Sequence, residues 1–252
     1  MRSGGLALAL LTLIPMAAQA ADAHGALAAE QQRIESADYR LNGHLVRVDA
    51  NGKRTSYAIN IKAHGFPGVL RVLLAVDSPA EARAHVLLEM RPGGKNAIQI
   101  AHPGKAGTTA LPFDKWTEGP LGDGFSYEDF LESPYFWARQ TELGAARFGA
   151  RDCDQVKSRP GAADETHYAN VTSWLDHSSG FPVYVEKTLK GSGLVKEFTY
   201  FGLRQTDGVW SASQVEVKIR GRAGTTLLII DRGTAKAHLN VQDFSPAQLM
   251  HF

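Results

Sequence analysis

The sequence contains one cysteine, Cys153, in 252 residues. No disulfide can therefore form within the chain, and stability has to come from core burial. A lone cysteine reads as a small buried hydrophobe before it reads as a nucleophile. Charge of either sign is also missing in excess: 27 Lys and Arg stand against 26 Asp and Glu. That balance argues against a nucleic-acid partner, which calls for a basic stripe. Long apolar runs are absent too. The first one, residues 6–16, is too short to span a bilayer. There is no G-x-S-x-G, H-E-x-x-H, P-loop or Cys-x-x-Cys motif. The nine histidines are scattered, with no two at a metal-ligand spacing on one element, so neither a metal nor another cofactor is expected. Asp176-His177-Ser178 has the residue types of a hydrolase triad, but three adjacent residues in a turn cannot face one another.

What is present begins with an export signal. Arg2 precedes the apolar run, and Ala18-Gln19-Ala20 follows it as a small-x-small cleavage triplet. The expectation is a signal peptide over 1–20, cut after Ala20, and one β domain over 21–252 in the periplasm. No cysteine follows the cut to carry a lipid anchor. Residues 21–36 have helical composition, with Leu27, Glu30 and Ile34 on one face. From Asp38 the period becomes two. A strand over 39–50 turns at Asn51-Gly52 into one where Tyr57, Ile59, Ile61 and Ala63 alternate with polar residues. Tyr39 and Leu41 keep one parity while Val46 and Val48 keep the other, which predicts a bulge near Gly43-His44. Further strands are expected at 69–76, 84–90, 96–101, 136–143, 152–158, 167–176, 182–190, 194–204, 209–220 and 225–235, most of them separated by short Gly-containing turns. On 182–190, Val183, Val185 and Leu189 face one way, and Lys187 is taken as outward.

Residues 103–124 form a long irregular connection of the kind that serves as a lid. Ser126 caps a short helix over 126–132, with Asp129 as its capping-box partner. Glu128 and Asp129, near Asp123, form the tightest acidic cluster. On a helix they point about 100° apart, so a solvated or capping role is expected before catalysis. Another short helix or turn is expected over 244–249. Many consecutive hairpins give an up-and-down antiparallel sheet, and a sheet this wide tends to curl. The fold class expected is mainly β: a curled, half-open barrel with the N-terminal helix and small helices over its open side.

Aromatic residues are in surplus. Phe125, Tyr127, Phe130, Tyr135, Phe136 and Trp137 crowd one segment, and Trp174, Phe198, Tyr200, Phe201 and Trp210 follow on later strands. Each can be ordinary core. Together they can wall a cavity for an apolar ligand, and the candidates for that wall are Phe125, Tyr127, Phe130, Trp137, Trp174, Phe198, Tyr200 and Trp210.

The segment Gly122-Asp123-Gly124-Phe125-Ser126-Tyr127-Glu128-Asp129-Phe130 resembles the S-D-F-S-Y-E-D-L motif of bacterial outer-membrane lipoprotein-sorting proteins, a LolA-like family. The order of later blocks is similar as well: Ser173-Trp174-Leu175-Asp176, Gly180-Phe181-Pro182-Val183, Gly193-Leu194-Val195-Lys196-Glu197-Phe198 and Gly208-Val209-Trp210-Ser211. The resemblance spans about 122–249, and Gly124 is an extra residue within the motif. It implies a curled sheet around an apolar cavity and, as partners, a lipid or acylated lipoprotein cargo, an inner-membrane transporter and an outer-membrane acceptor, with the chain acting as a monomer. A lipid-acting enzyme and an accessory subunit of an envelope complex are the competing functions.

Overall fold

The structure is a computed structural model and describes residues 23–119 and 124–252. The expected signal peptide, its cut after Ala20, and Gly122 and Asp123 lie outside the described residues. A 13-stranded antiparallel sheet dominates, flanked by the helix α1 (Ala23–Glu35). The first wing contains β1 (Asp38–Val48), β2 (Arg54–Phe66), β3 (Val69–Ser78), β4 (Ala84–Met90), β5 (Ala97–Ala101) and β6 (Thr109–Ala110). The second contains β7 (Arg139–Phe148), β8 (Arg151–Arg159), β9 (Tyr168–Asp176), β10 (Pro182–Leu189), β11 (Val195–Phe201), β14 (Gln214–Ile219) and β15 (Thr225–Ala235). The strands β12 (Arg204–Thr206) and β13 (Val209–Ser211) form a separate hairpin. The two wings join where β1 pairs with β15, so β6 and β7 are left as the two edges and the barrel does not close. The sheet is thus mainly built of hairpins, as expected, but the first and last long strands are neighbours at its centre.

Alternation puts apolar side chains of the central strands on the concave face, while the edge strand β7 buries none of its residues. Leu41, Ile61, Leu74, Val86 and Ile100 lie in one cross-strand row, and Leu45 is paired with both Tyr57 and Leu228 in another. The helix α1 lies over this face, burying Leu27 and Ile34 completely, and touches β2 and β3 of one wing and β7 and β8 of the other. It covers the opening that the unclosed edges leave. Gly65 makes the close approach possible, since a Cβ there would stand 1.9 Å from the Glu35 carbonyl oxygen. The convex face carries a smaller core. A 3-10 turn (Val241–Phe244) and α2 (Pro246–Leu249) pack Phe244 and Leu249 against Leu73 and Leu87, and the His85 ring hydrogen-bonds the Leu249 carbonyl at 3.0 Å.

Three local expectations are corrected. The bulge is real, but its extra residue is Asp231 on β15. Asn42 pairs with Arg232 and Gly43 with Ile230, while β1 runs in unbroken register along β2. Val46 and Val48 therefore take the opposite face without any slip in β1. The strands expected at 194–204 and 209–220 are each broken: Gly202 adopts φ +61°, and the Ser213 amide bonds the Phe201 carbonyl at 3.0 Å. The chain between leaves the sheet as the β12–β13 hairpin. The strand expected from 136 starts at Arg139, because Ser133–Phe136 closes a 3-10 turn around Pro134.

Cys153 is buried on β8, and burial pushes its thiol pKa up. Cys153→Ala is expected to cost about 1 kcal/mol, and the native thiol to react with a disulfide reagent only after unfolding. A thiol that titrates at once in the native protein would contradict this placement.

Candidate functional site: a lidded cavity on the concave face

A cavity of about 600 Å³ lies between α1, the concave face and the β12–β13 hairpin. Its apolar wall includes Ile61, Val72, Phe198, Tyr200, Val215 and Leu228. These side chains converge because they share one parity on strands adjacent in the sheet. Residues Tyr127–Phe130 form a 3-10 turn capped by Ser126 and bring Phe125 and Phe130 to the same wall. The long connection packs on this turn: the Tyr127 amide donates to the Glu118 carbonyl at 2.8 Å, and the Glu128 amide to the Trp116 carbonyl at 3.0 Å. Trp116 is buried, and Phe113 stacks on the His167 ring at 3.9 Å. The segment is a cover over this part of the core, held by backbone hydrogen bonds and aromatic contact, and of its described residues Phe125, Asp129 and Phe130 reach the cavity wall.

Asp129 anchors the cover to the sheet. Lys187 on β10 and Lys196 on β11 are direct cross-strand partners on the concave face. Like charges so placed repel. The Asp129 carboxylate sits between them, accepting from Lys187 Nζ at 3.2 Å and from Lys196 Nζ. It also accepts from the Tyr168 hydroxyl at 2.6 Å and from the Ser126 amide and hydroxyl at 2.8 Å each. Burial alone would push the Asp129 carboxyl up. The two ammonium groups and these hydrogen bonds outweigh it and hold the group well below the usual carboxylate range. Lys187 also lies 4.5 Å from the centre of the Phe198 ring, a cation–π contact. The cluster corrects two expectations. Lys187 points inward, as its shared parity with Val183 and Val185 requires. Asp129 and Glu128 are buried rather than solvated; Asp129 does form the expected capping box. Glu128 accepts from the His167 amide at 3.0 Å, from the Thr166 hydroxyl, and contacts His167 Nδ1 at 2.8 Å, so it fixes the start of β9.

A second ionic group lines the helix side of the cavity. Arg33 holds Glu30 through two contacts, at 2.6 and 2.8 Å, and reaches Glu132 at 2.6 Å. Burial raises the Glu30 pKa even against Arg33. Arg33 also lies 5.4 Å from the Phe181 ring centre. No sequence pattern pairs residue 33 with residue 132.

Of the eight aromatic residues named from the sequence, Phe125, Phe130, Phe198, Tyr200 and Trp210 line the cavity. Tyr127 and Trp137 are buried in the adjoining core and are not on its wall. Trp174 faces the convex side, paired with Tyr184 at 4.9 Å, which in turn stacks on Phe148 at 4.7 Å. The structure does not bring it to the cavity. Tyr184 opposes it on β10, and the inward positions there belong to Val183 and Val185. Asp176-His177-Ser178 is a turn clamp: Asp176 accepts from the Ser178 and Ser179 hydroxyls at 2.6 Å, while His177 faces Asp154.

Gly124 explains the additional residue of the motif. Its φ is +134°, and a Cβ there would lie 2.1 Å from Thr226 Oγ1 on β15. The cover thus enters over the sheet where only glycine fits. Gly124→Ala is expected to destabilise the protein by about 2–3 kcal/mol and to displace the cover, read as faster proteolysis within 103–119 and a lower unfolding midpoint. Unchanged protection would show that this approach is not required.

The curled, unclosed antiparallel sheet with a helix over its opening and a lidded apolar hollow defines a LolA-like fold. An outer membrane lipoprotein-sorting protein domain from Vibrio parahaemolyticus superposes with a TM-score of 0.80 at 18% identity, covering 91% of this chain and 100% of that one. A DUF1329 family protein from Desulfovibrio piger gives 0.81 at 15%, over 91% and 98%. A LolA superfamily protein from Nitrosomonas europaea gives 0.68 at 14%, over 90% and 99%. The comparison with curated proteins returns no match. A family model whose description reads "-like: Uncharacterized protein" matches residues 71–251, and the chain belongs to that family.

Proposed function

We propose that the protein is a non-enzymatic, extracytoplasmic carrier that shields acyl chains of a lipid or lipoprotein while they cross water between membranes. The observation that carries this reading is the apolar hollow of about 600 Å³ between α1, the concave face and the β12–β13 hairpin. Leaving an acyl chain in water costs about 0.8 kcal/mol per methylene, and a walled hollow removes that cost. The export signal expected over 1–20 supports work in the periplasm, where an inner-membrane donor and an outer-membrane acceptor would load and unload a monomer. The acidic residues at the site are engaged in structural ion pairs and hydrogen bonds, which favours carriage over chemistry.

Trp210 lines the hollow, so a bound lipid is expected to shift its emission to the blue. At free ligand a hundredfold above the dissociation constant, linkage stabilises the fold by about 2.7 kcal/mol. Trp210→Phe should abolish the spectral response and keep the thermal one. Native mass spectrometry of protein from periplasmic extract should show co-purifying lipid. A protein isolated consistently empty, with no thermal response to any lipid, would return the reading to an accessory subunit.

A further inference from the structure

The carrier reading leaves open what kind of amphiphile the hollow takes, and two observations bear on it. The first is size. A methylene takes up about as much room as a water molecule's share of the liquid, ~30 Å³. The hollow of about 600 Å³ then holds roughly twenty such groups, which is one chain of ordinary lipid length and not two.

The second is the charge left over on the wall. Its four carboxylates are all engaged. Glu30 and Glu132 share Arg33. Asp38 accepts from the His238 and Leu239 amides at 2.9 and 3.0 Å and meets His64 at 3.2 Å. Asp129 lies between Lys187 and Lys196. Two cations on the same lining have no ion-pair or hydrogen-bond partner among the described residues: Arg204, which opens β12, and Lys236, just past β15. Both are exposed and therefore stand at the rim. Trp210, on the strand paired with β12, is half-buried between wall and water, a position suited to an indole.

We propose that the ligand is a single-chain amphiphile with an anionic head: the chain fills the hollow, and the carboxylate or phosphate is held at the rim by Arg204 and Lys236. This inference rests on the carrier reading. Burial of the chain supplies affinity and the rim supplies orientation, because a head that stays in water loses little hydration.

The test uses delipidated mature protein and calorimetric titration with fatty acids of ten to twenty carbons, lysophosphatidylglycerol, monopalmitin, hexadecyltrimethylammonium and vesicles of dipalmitoyl phosphatidylglycerol. The expected result is one chain per protein and affinity rising roughly fourfold per methylene, levelling off near sixteen to eighteen carbons. Palmitate should bind more tightly than monopalmitin, and both more tightly than the cationic chain. Arg204→Glu with Lys236→Glu, both at exposed positions, should weaken palmitate about fivefold to tenfold and improve the cationic ligand, with circular dichroism unchanged. Palmitate alone binding would identify a free fatty acid as the source; lysophosphatidylglycerol binding as tightly would identify a shared anionic requirement. Two chains per protein, equal affinity for the two-chain lipid, or indifference to head charge would overturn the inference while the carrier reading stands. Failure of every chain to bind, whatever its head, would overturn both.

Discussion

Asp129→Asn is expected to destabilise the protein by about 3–5 kcal/mol, because it leaves two buried lysines facing each other across adjacent strands. For a chain of this length that lowers the unfolding midpoint by roughly 10 °C or more. Lys196→Met added to Asp129→Asn removes the repulsion and should recover a substantial part of the loss. A double variant no more stable than the single one would show that Asp129 acts through its hydrogen bonds to Ser126 and Tyr168 instead. The effect is pH-dependent with a fixed sign. The Asp129 pKa is lowered in the folded state, so its stabilisation is complete above the unfolded value of about 3.9 and drains away as pH falls below it toward the lower folded value. Urea melts from pH 7 down to 2.5 should show wild type and Asp129→Asn converging only in the most acidic samples. Convergence already at pH 5 would contradict the placement.

Phe198→Ala is expected to cost about 3–5 kcal/mol. Phe198 is 2% exposed, meets Phe125 edge-on at 5.8 Å and lies under the Lys187 ammonium. Truncation removes the apolar surface and the cation–π contact, which alone contributes about 0.5–2 kcal/mol. It also enlarges the hollow that Phe198 bounds. The variant should therefore shift the preferred chain length upward even as stability falls. Denaturant midpoints and the chain-length series measured on one sample separate the two effects. An unchanged length optimum would place Phe198 in the core without a role in setting the cavity's depth.

Much of the architecture is legible in local pattern. The period of two in Tyr57, Ile59, Ile61 and Ala63 marks an inward row, and Asn51-Gly52 marks the turn before it. Ser126 and Asp129 announce their capping box three residues apart. The single inward parity of β10 also settles Lys187, once Val183 and Val185 are placed. Those signals are short-range and lie within one element or across one hairpin.

The sequence by itself determined the β class, the turns, the N-terminal helix and the aromatic supply for a wall. Those follow from side-chain period, glycine positions and capping chemistry, which act between neighbours in the chain. Tertiary structure alone decided that β1 pairs with β15, that Gly202 and Ser213 expel a hairpin from the sheet, and that Trp174 faces away from the hollow while Trp210 borders it. It alone placed Asp129 between Lys187 and Lys196, and Arg33 against Glu132, residues far apart in sequence. The physical reason is that a charge becomes tolerable in the interior only through its partner, and the partner is chosen by how the sheet curls, which no local period encodes.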